Sequence, residues 1–184
     1  MEPHTARLVF KVWQADHRRE FAEMSSDPAV MRFFPALQTA TQSDASVDAW
    51  VAHLEQFGWG NWAVELRATG EFIRFIGLSV PRRTLPFTPC VEVGWRLKRS
   101  AWGHGYATEG GKASLRHGFE QLGLEEIVSF TALVNTRSAA VMQRIGMRNA
   151  GADFEHPGIP PGSPLRPHCL YKITRTLWLE QQAR

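Results

Sequence analysis

Cysteine is nearly absent: the 184 residues contain two, Cys90 and Cys169. That is too few for a disulfide framework or a four-cysteine zinc site. Long apolar runs are missing as well, and none approaches the roughly 20 residues that a membrane helix needs. Glu2, His4 and Arg7 interrupt the N-terminus, so no signal-peptide core forms there and a soluble, cytoplasmic protein is the expectation. Only four of the 21 basic residues are lysine, and basic runs do not exceed pairs such as Arg18-Arg19 and Arg82-Arg83. A nucleic-acid partner, which calls for a denser basic patch, is not expected. No two histidines stand at H-x-x-x-H spacing, and no metal is expected.

What is present suits a packed core. Hydrophobic residues make up 43% and charged residues 21%, which excludes wholesale disorder, and the net charge is only +3. The length fits one domain over residues 1–184. The stretch from His156 to Pro167 holds five prolines and two glycines and reads as one long loop.

Arg7 to Trp13 reads as a first strand, and Asp16 to Ser26 as a helix stopped by Pro28. Ser43 is taken as the N-cap of a second helix, whose Val47, Trp50, Val51, Leu54 and Phe57 recur at helical spacing before Gly58. Trp62 to Arg67 and Phe72 to Val80 flank Thr69-Gly70 as a hairpin. In the next strand, Val91 to Leu97, the residues Val91, Val93, Trp95 and Leu97 share one face. A helix follows, then a strand at Ile127 to Leu133 and a short helix from Ser138 to Ile145. Met147 to Phe154 and Cys169 to Thr176 are read as two last strands. The order argues for an α/β fold with a mixed sheet.

The informative segment is the join between the Val91–Leu97 strand and its helix, Trp102-Gly103-His104-Gly105-Tyr106-Ala107-Thr108-Glu109. A glycine-rich turn that opens a helix presents free backbone N–H groups to an anion, and the glycines let a phosphate come close. A bare G-x-G is also an ordinary tight turn. No Lys-Ser or Lys-Thr follows a glycine, so a Walker A loop is excluded, and Thr108 stands where a dinucleotide fingerprint needs its third glycine.

The segment Val91 to Glu109 resembles the strand, pyrophosphate loop and helix of the GNAT N-acyltransferase superfamily. Asn135-x-x-Ser138 followed by Met142-Gln143-Arg144-Ile145-Gly146-Met147 is similar to its second signature. The W-G-x-G-Y-A-T-E form, Phe33-Phe34-Pro35, Gly60-Asn61-Trp62-Ala63-Val64-Glu65 and His168-x-x-Tyr171 look like the RimJ/RimL branch, which acetylates protein N-termini. The chain departs from the pattern at Ser100, where a Gln or Arg is usual, at Met142, where many relatives carry a tyrosine acid, and at Met147, which follows Gly146 in place of phenylalanine. The resemblance implies a twisted, mostly antiparallel central sheet with helices on both faces. It implies acetyl transfer from acetyl-CoA to an amine by direct attack, the acceptor being a peptide N-terminus or a small molecule. A homodimer is left open. The competing reading is an acyl-CoA-binding sensor that keeps the turn without catalysis.

Carried residue by residue, the cofactor site is Trp95, Arg96 and Leu97 on the strand, Trp102, Gly103, His104, Gly105, Tyr106 and Ala107 in the turn, and Asn135, Ser138 and Met142 in the second signature. Direct attack needs a neutral amine, so a base must take its proton. Glu92 is the preferred base, because a carboxylate inside a core strand is desolvated and has a raised pKa. Glu155, His156 or ordered water are the alternatives. Ser138 is the candidate for holding or protonating the thiol sulfur, against its other reading as a first-turn serine. Asn135 is expected to bond the pantetheine amide or a substrate carbonyl rather than to serve in a turn. Trp50, Trp59 and Trp62 read as core or as an acceptor groove, and neither cysteine has a base that would make it a nucleophile.

Overall fold

The computed structural model describes residues 2–183, and its sheet is built from the alternating segments of the sequence. The strands are β1 (Leu8–Lys11), β2 (Asn61–Leu66), β3 (Phe72–Ser79), β4 (Glu92–Leu97), β5 (Glu126–Ala132), β6 (Arg148–Asn149), β7 (Phe154–Glu155) and β8 (Pro167–Thr174). The helices are α1 (Ala15–Ser25), α2 (Ala40–Phe57), α3 (Tyr106–Arg116), α4 (Thr136–Arg144) and α5 (Arg175–Gln182). The sheet order is β1-β2-β3-β4-β5-β8-β6, with β7 also on β8, and every pairing except β4 with β5 is antiparallel. No helix is long and apolar enough to cross a membrane among the described residues.

Helices cover both faces. Phe75 of β3 meets Phe21 of α1 and Trp50 of α2, with centroids 6.3 and 4.5 Å away. Ile76, the next residue, faces α3 at Gly110. Further along, Phe119 stacks near Trp178 of α5 (5.4 Å), and Met142, Ile145 and Ile173 join the same buried cluster. Two cores result, one around β1–β3 with α1 and α2, the other around β5 and β8 with α4 and α5. β4 lies between them.

Three local readings are corrected. α2 begins at Ala40, not at Ser43: Thr39 Oγ1 accepts from the Gln42 N–H (3.2 Å) and Gln42 Oε1 accepts from the Thr39 N–H (3.0 Å). This capping box leaves Ser43 fully buried within the helix. The Met147–Phe154 strand is two short pieces, because Gly151 turns left-handed (φ 64°) and its N–H donates to Asn149 Oδ1. Cys169–Thr176 does not run on as a strand, since Thr174 caps α5 by accepting from the Leu177 N–H (3.2 Å).

Candidate active site

β4 and β5 are joined at one paired position, Glu92 with Val128, where the Val128 N–H reaches Val91 O at 2.9 Å. β4 keeps its antiparallel partner β3 on one edge and β5 keeps β8 on the other. Beyond Glu92 the two strands separate, and Gly94–Leu97 and Ser129–Ala132 line a cleft of about 2140 Å³. Such a wedge leaves main-chain donors and acceptors free for a ligand between two strands.

The glycine turn closes one end of this cleft. Trp102 Nε1 donates to Leu97 O (2.9 Å) and folds the chain back over β4. Gly103 (φ 81°) and Gly105 (φ 79°) are both left-handed, a conformation that side chains resist. Gly105 is the N-cap of α3 and no side chain caps that helix, so its first-turn N–H groups remain available to an anion. Arg7 fixes the turn from outside: Nη1 donates to His104 O (3.0 Å), while Nε and the main-chain N–H hold the Glu109 carboxylate (2.6 and 2.9 Å). Arg99, Arg137 and Arg144 border the same end, none of them in an ion pair among the described residues, and Arg137 lies over the Trp102 ring (5.3 Å). Open helix N–H groups and unpaired guanidinium groups beside the gap between β4 and β5 together suit the phosphates of a CoA thioester. Gly105→Val is therefore expected to weaken CoA binding by about tenfold or more, through strain and through the added bulk. Isothermal titration with CoA checks it, and unchanged affinity would mean that the turn serves only as a turn.

The other wall comes from the opposite face of β4. Val93, Trp95 and Leu97 turn to the cores, so Glu92, Gly94 and Arg96 turn together into the cleft. Glu92 is the only carboxylate lining it and has no hydrogen-bond partner among the described residues. Burial pushes its carboxyl up to about 8. His156 also lines the cleft. Burial, then the charges of His168, Arg83 and Arg166, lower it to about 4, so it is neutral at pH 7. Its Nδ1 accepts from the Gly158 N–H (3.1 Å), and its ring lies 4.8 Å from that of His168. His168 in turn is lowered by burial, and its Nδ1 stands 3.0 Å from Arg166 O.

Most of the residues singled out from sequence meet here. Trp95, Arg96 and Leu97, then Trp102, Gly103, Gly105, Tyr106 and Ala107, and finally Asn135 and Ser138 all border the cleft. Ser138 borders the cleft at the first turn of α4, and its Oγ makes no hydrogen bond among the described residues. Four expectations change. Asn135 does serve in a turn, as a helix cap: its Oδ1 accepts from the Ser138 N–H (3.3 Å) and its Nδ2 donates to Thr131 Oγ1 (2.9 Å), which leaves one Nδ2 hydrogen toward the cleft it borders. Met142 is 1% exposed and belongs to the core, since α4 turns Val141 rather than Met142 toward the cleft. His104 stacks on Tyr106 (5.5 Å) outside the cleft. Glu155 is an exposed residue ion-paired with Arg166 (2.6 Å), away from the cleft. Of the three tryptophans Trp50 alone borders the cleft, while Trp62 is core. Burial raises both thiols, with Cys90 pushed up to about 11, so neither is a ready nucleophile. Sequence reasoning missed Arg83 and His168 as cleft residues. Only the His168-x-x-Tyr171 spacing hinted at the second.

Known proteins resemble the chain over most of its length. Residues 7–148 match the family described as "Acetyltransferase (GNAT) domain". The FsC-acetyl coenzyme A-N(2)-transacetylase of Aspergillus fumigatus is 33% identical over 97% of this chain and 78% of its own. A GNAT-family acetyltransferase from Bacillus anthracis superposes with a TM-score of 0.78 at 24% identity, covering 96% of this chain and 99% of that one. The spermidine N-acetyltransferase of Vibrio cholerae, solved with CoA and spermine, shares the fold (TM-score 0.73) at 13% identity, over 95% and 99% of the two chains.

Proposed function

Because the chain belongs to the GNAT acetyltransferases and is an acetyl-CoA-dependent enzyme of that family, we propose that it acetylates a primary amine, of a peptide N-terminus or a small molecule, by direct attack. The observation that carries this is the parting of β4 from β5 beneath an uncapped glycine turn, with Glu92 on the wall of the gap. The turn and the Asn135-x-x-Ser138 spacing support kinship with the RimJ/RimL branch. The name of the Aspergillus fumigatus relative specifies a nitrogen, N(2), which supports nitrogen as the nucleophile.

When bound, acetyl-CoA supplies an acyl group activated as a thioester. The first-turn N–H groups of α3, with Arg99, Arg137 and Arg144, hold its phosphates. The free main-chain edge of Gly94–Leu97 offers donors to the acyl oxygen, where charge develops as the amine adds. Glu92 takes the amine proton, so that the N–C bond forms from a neutral nitrogen while the C–S bond breaks. Ser138 Oγ donates to the departing sulfur. A thiol with a pKa near ~8.5 leaves readily, so this help is modest.

CoA at a hundredfold excess over its Kd should raise the melting temperature by on the order of 5–10 °C for a chain of this size. NAD and ATP should leave it unchanged, and acetyl-CoA with an accepted amine should release free thiol in step with acetylated product. Equal shifts with NAD, or none with CoA, would sink the reading.

A further inference from the structure

Among the described residues seven arginines line the cleft against a single carboxylate, Glu92. Among the described residues none of the seven is in an ion pair, whereas five of the nine other arginines are: Arg7, Arg18, Arg19, Arg166 and Arg175. Three of the seven border the glycine turn and α4 and suit phosphates. The other four, Arg32, Arg82, Arg83 and Arg96, stand on the acceptor side.

Arg96 is the telling one. Its side chain leaves β4 on the same face as Glu92, four residues along, with the bare Gly94 between them. Its guanidinium lies on the Phe34 ring (3.8 Å), Nη1 touches Met31 Sδ (3.5 Å), and the buried Nε has no acceptor. Behind it stands Arg74, fully buried and left-handed (φ 113°) at the β2–β3 bulge. Arg74 donates to Ser25 Oγ (2.7 Å) and leaves Nε and Nη1 unsatisfied. Asp27 acts on Arg74 from a distance but forms no ion pair with it. Two guanidinium groups therefore share one stretch of interior without a paired anion, an arrangement that burial makes expensive unless a ligand supplies the counter-ion. Backbone strain at a buried non-glycine residue points the same way.

We propose, resting on the acetyltransferase reading, that the acceptor is a primary amine that carries an anionic group, a carboxylate or a phosphate, bound by Arg96 while the amine lies toward Glu92. Positions four residues apart on a strand are ~13 Å apart at Cα. Amine and anion therefore sit at opposite ends of a short linker. A second ammonium in place of the anion meets Arg96 backed by Arg74, so polycations are rejected.

The test pairs acceptors of equal length in a thiol-release assay. 4-Aminobutanoate and 6-aminohexanoate are each compared with their amides, beside 3-aminopropylphosphonate and 1,4-diaminobutane. Each anionic amine should exceed its neutral partner in kcat/KM by roughly 10- to 100-fold, the worth of one charge-assisted contact. The ratio of carboxylate to phosphonate identifies the anion. In Arg96→Met the preference should vanish through KM, while the apo melting temperature holds or rises because an unpaired buried charge is gone. Arg96→Lys should recover part of the preference. A drop in stability with the preference intact would make Arg96 a structural residue and overturn the proposal. Equal rates on acid and amide, or preference for the diamine, overturn it while leaving acetyl transfer standing. If no amine turns over, thermal shifts of the CoA complex decide, and 4-aminobutanoate must stabilise wild type more than its amide does. Absence of both turnover and a CoA-induced shift would overturn the transferase reading itself.

Discussion

Replacing Glu92 by glutamine is expected to lower kcat by roughly 100- to 10,000-fold, the range that general-base catalysis contributes, while CoA affinity stays near wild type. Glutamine keeps the shape and loses the basicity. Among the described residues Glu92 is the only acid on the cleft wall, and it stands at the point where β4 leaves β5. Its competitors are weaker for reasons seen in the fold. Glu155 is held by Arg166 at the surface, so Glu155→Gln should leave kcat unchanged. His156 is neutral and faces the cleft, but its low proton affinity makes it a poor base, and His156→Ala should cost less than Glu92→Gln.

The pH dependence carries the same signature. A base must be unprotonated, so kcat should rise as pH passes through about 8, and Glu92→Gln should lose that limb. Stability moves the opposite way. A carboxyl whose folded pKa is raised binds its proton more tightly in the folded state, so wild-type stability falls as pH climbs from the ordinary carboxylate range through about 8. Glu92→Gln removes that loss and should hold its melting temperature better at pH 9. A packing defect would lower stability at every pH. If kcat survives in Glu92→Gln and in His156→Ala alike, proton removal by ordered water is the better account.

Much of the frame was legible because local chemistry and fold agree. The alternation of Val91 to Leu97 specifies a strand, and the paired glycines that follow it specify a tight turn into a helix. What sequence obscured is of two kinds, short caps that override a strand or helix pattern locally and partners remote in the chain. Thr174 to Thr176 is β-branched enough to read as the end of the Cys169–Thr176 strand, but the Thr174 hydroxyl accepts from the Leu177 N–H and the chain enters α5 there. Thr39 and Gln42 form a capping box that the eye passes over for Ser43, which also precedes an apolar stripe. At the site, the strand and turn residues were found because they are contiguous. Met142 was misplaced because a one-residue step on a helix turns a side chain by about 100°. Asn135 also caps α4, a role that its place at a strand end does not announce. Arg83 and His168 come to the cleft from the β3–β4 connection and from β8, and no spacing along the chain announces that meeting.

Gly94→Val is expected to lower kcat/KM by about 100-fold or more, since displacing reacting groups by an ångström already costs that much. Gly94 sits midway between Glu92 and Arg96 on the cleft face. A Cβ added there meets only Glu92 Oε1, at 3.8 Å, and the backbone is not left-handed. The protein therefore has room for the new side chain, and the space it fills belongs to the ligand. A β-branched residue in place of glycine within a strand also restricts the unfolded chain, so the melting temperature should hold or rise. This combination, lost activity with retained or improved stability, is opposite to that of a core defect. Graded substitution sharpens the test: alanine should cost less than valine, and valine less than leucine, in proportion to the volume placed between base and guanidinium. A Gly94→Val protein with wild-type kcat/KM on a good acceptor would show that the reacting amine does not cross this face of β4, and would remove the geometric basis for assigning roles to Glu92 and Arg96 together.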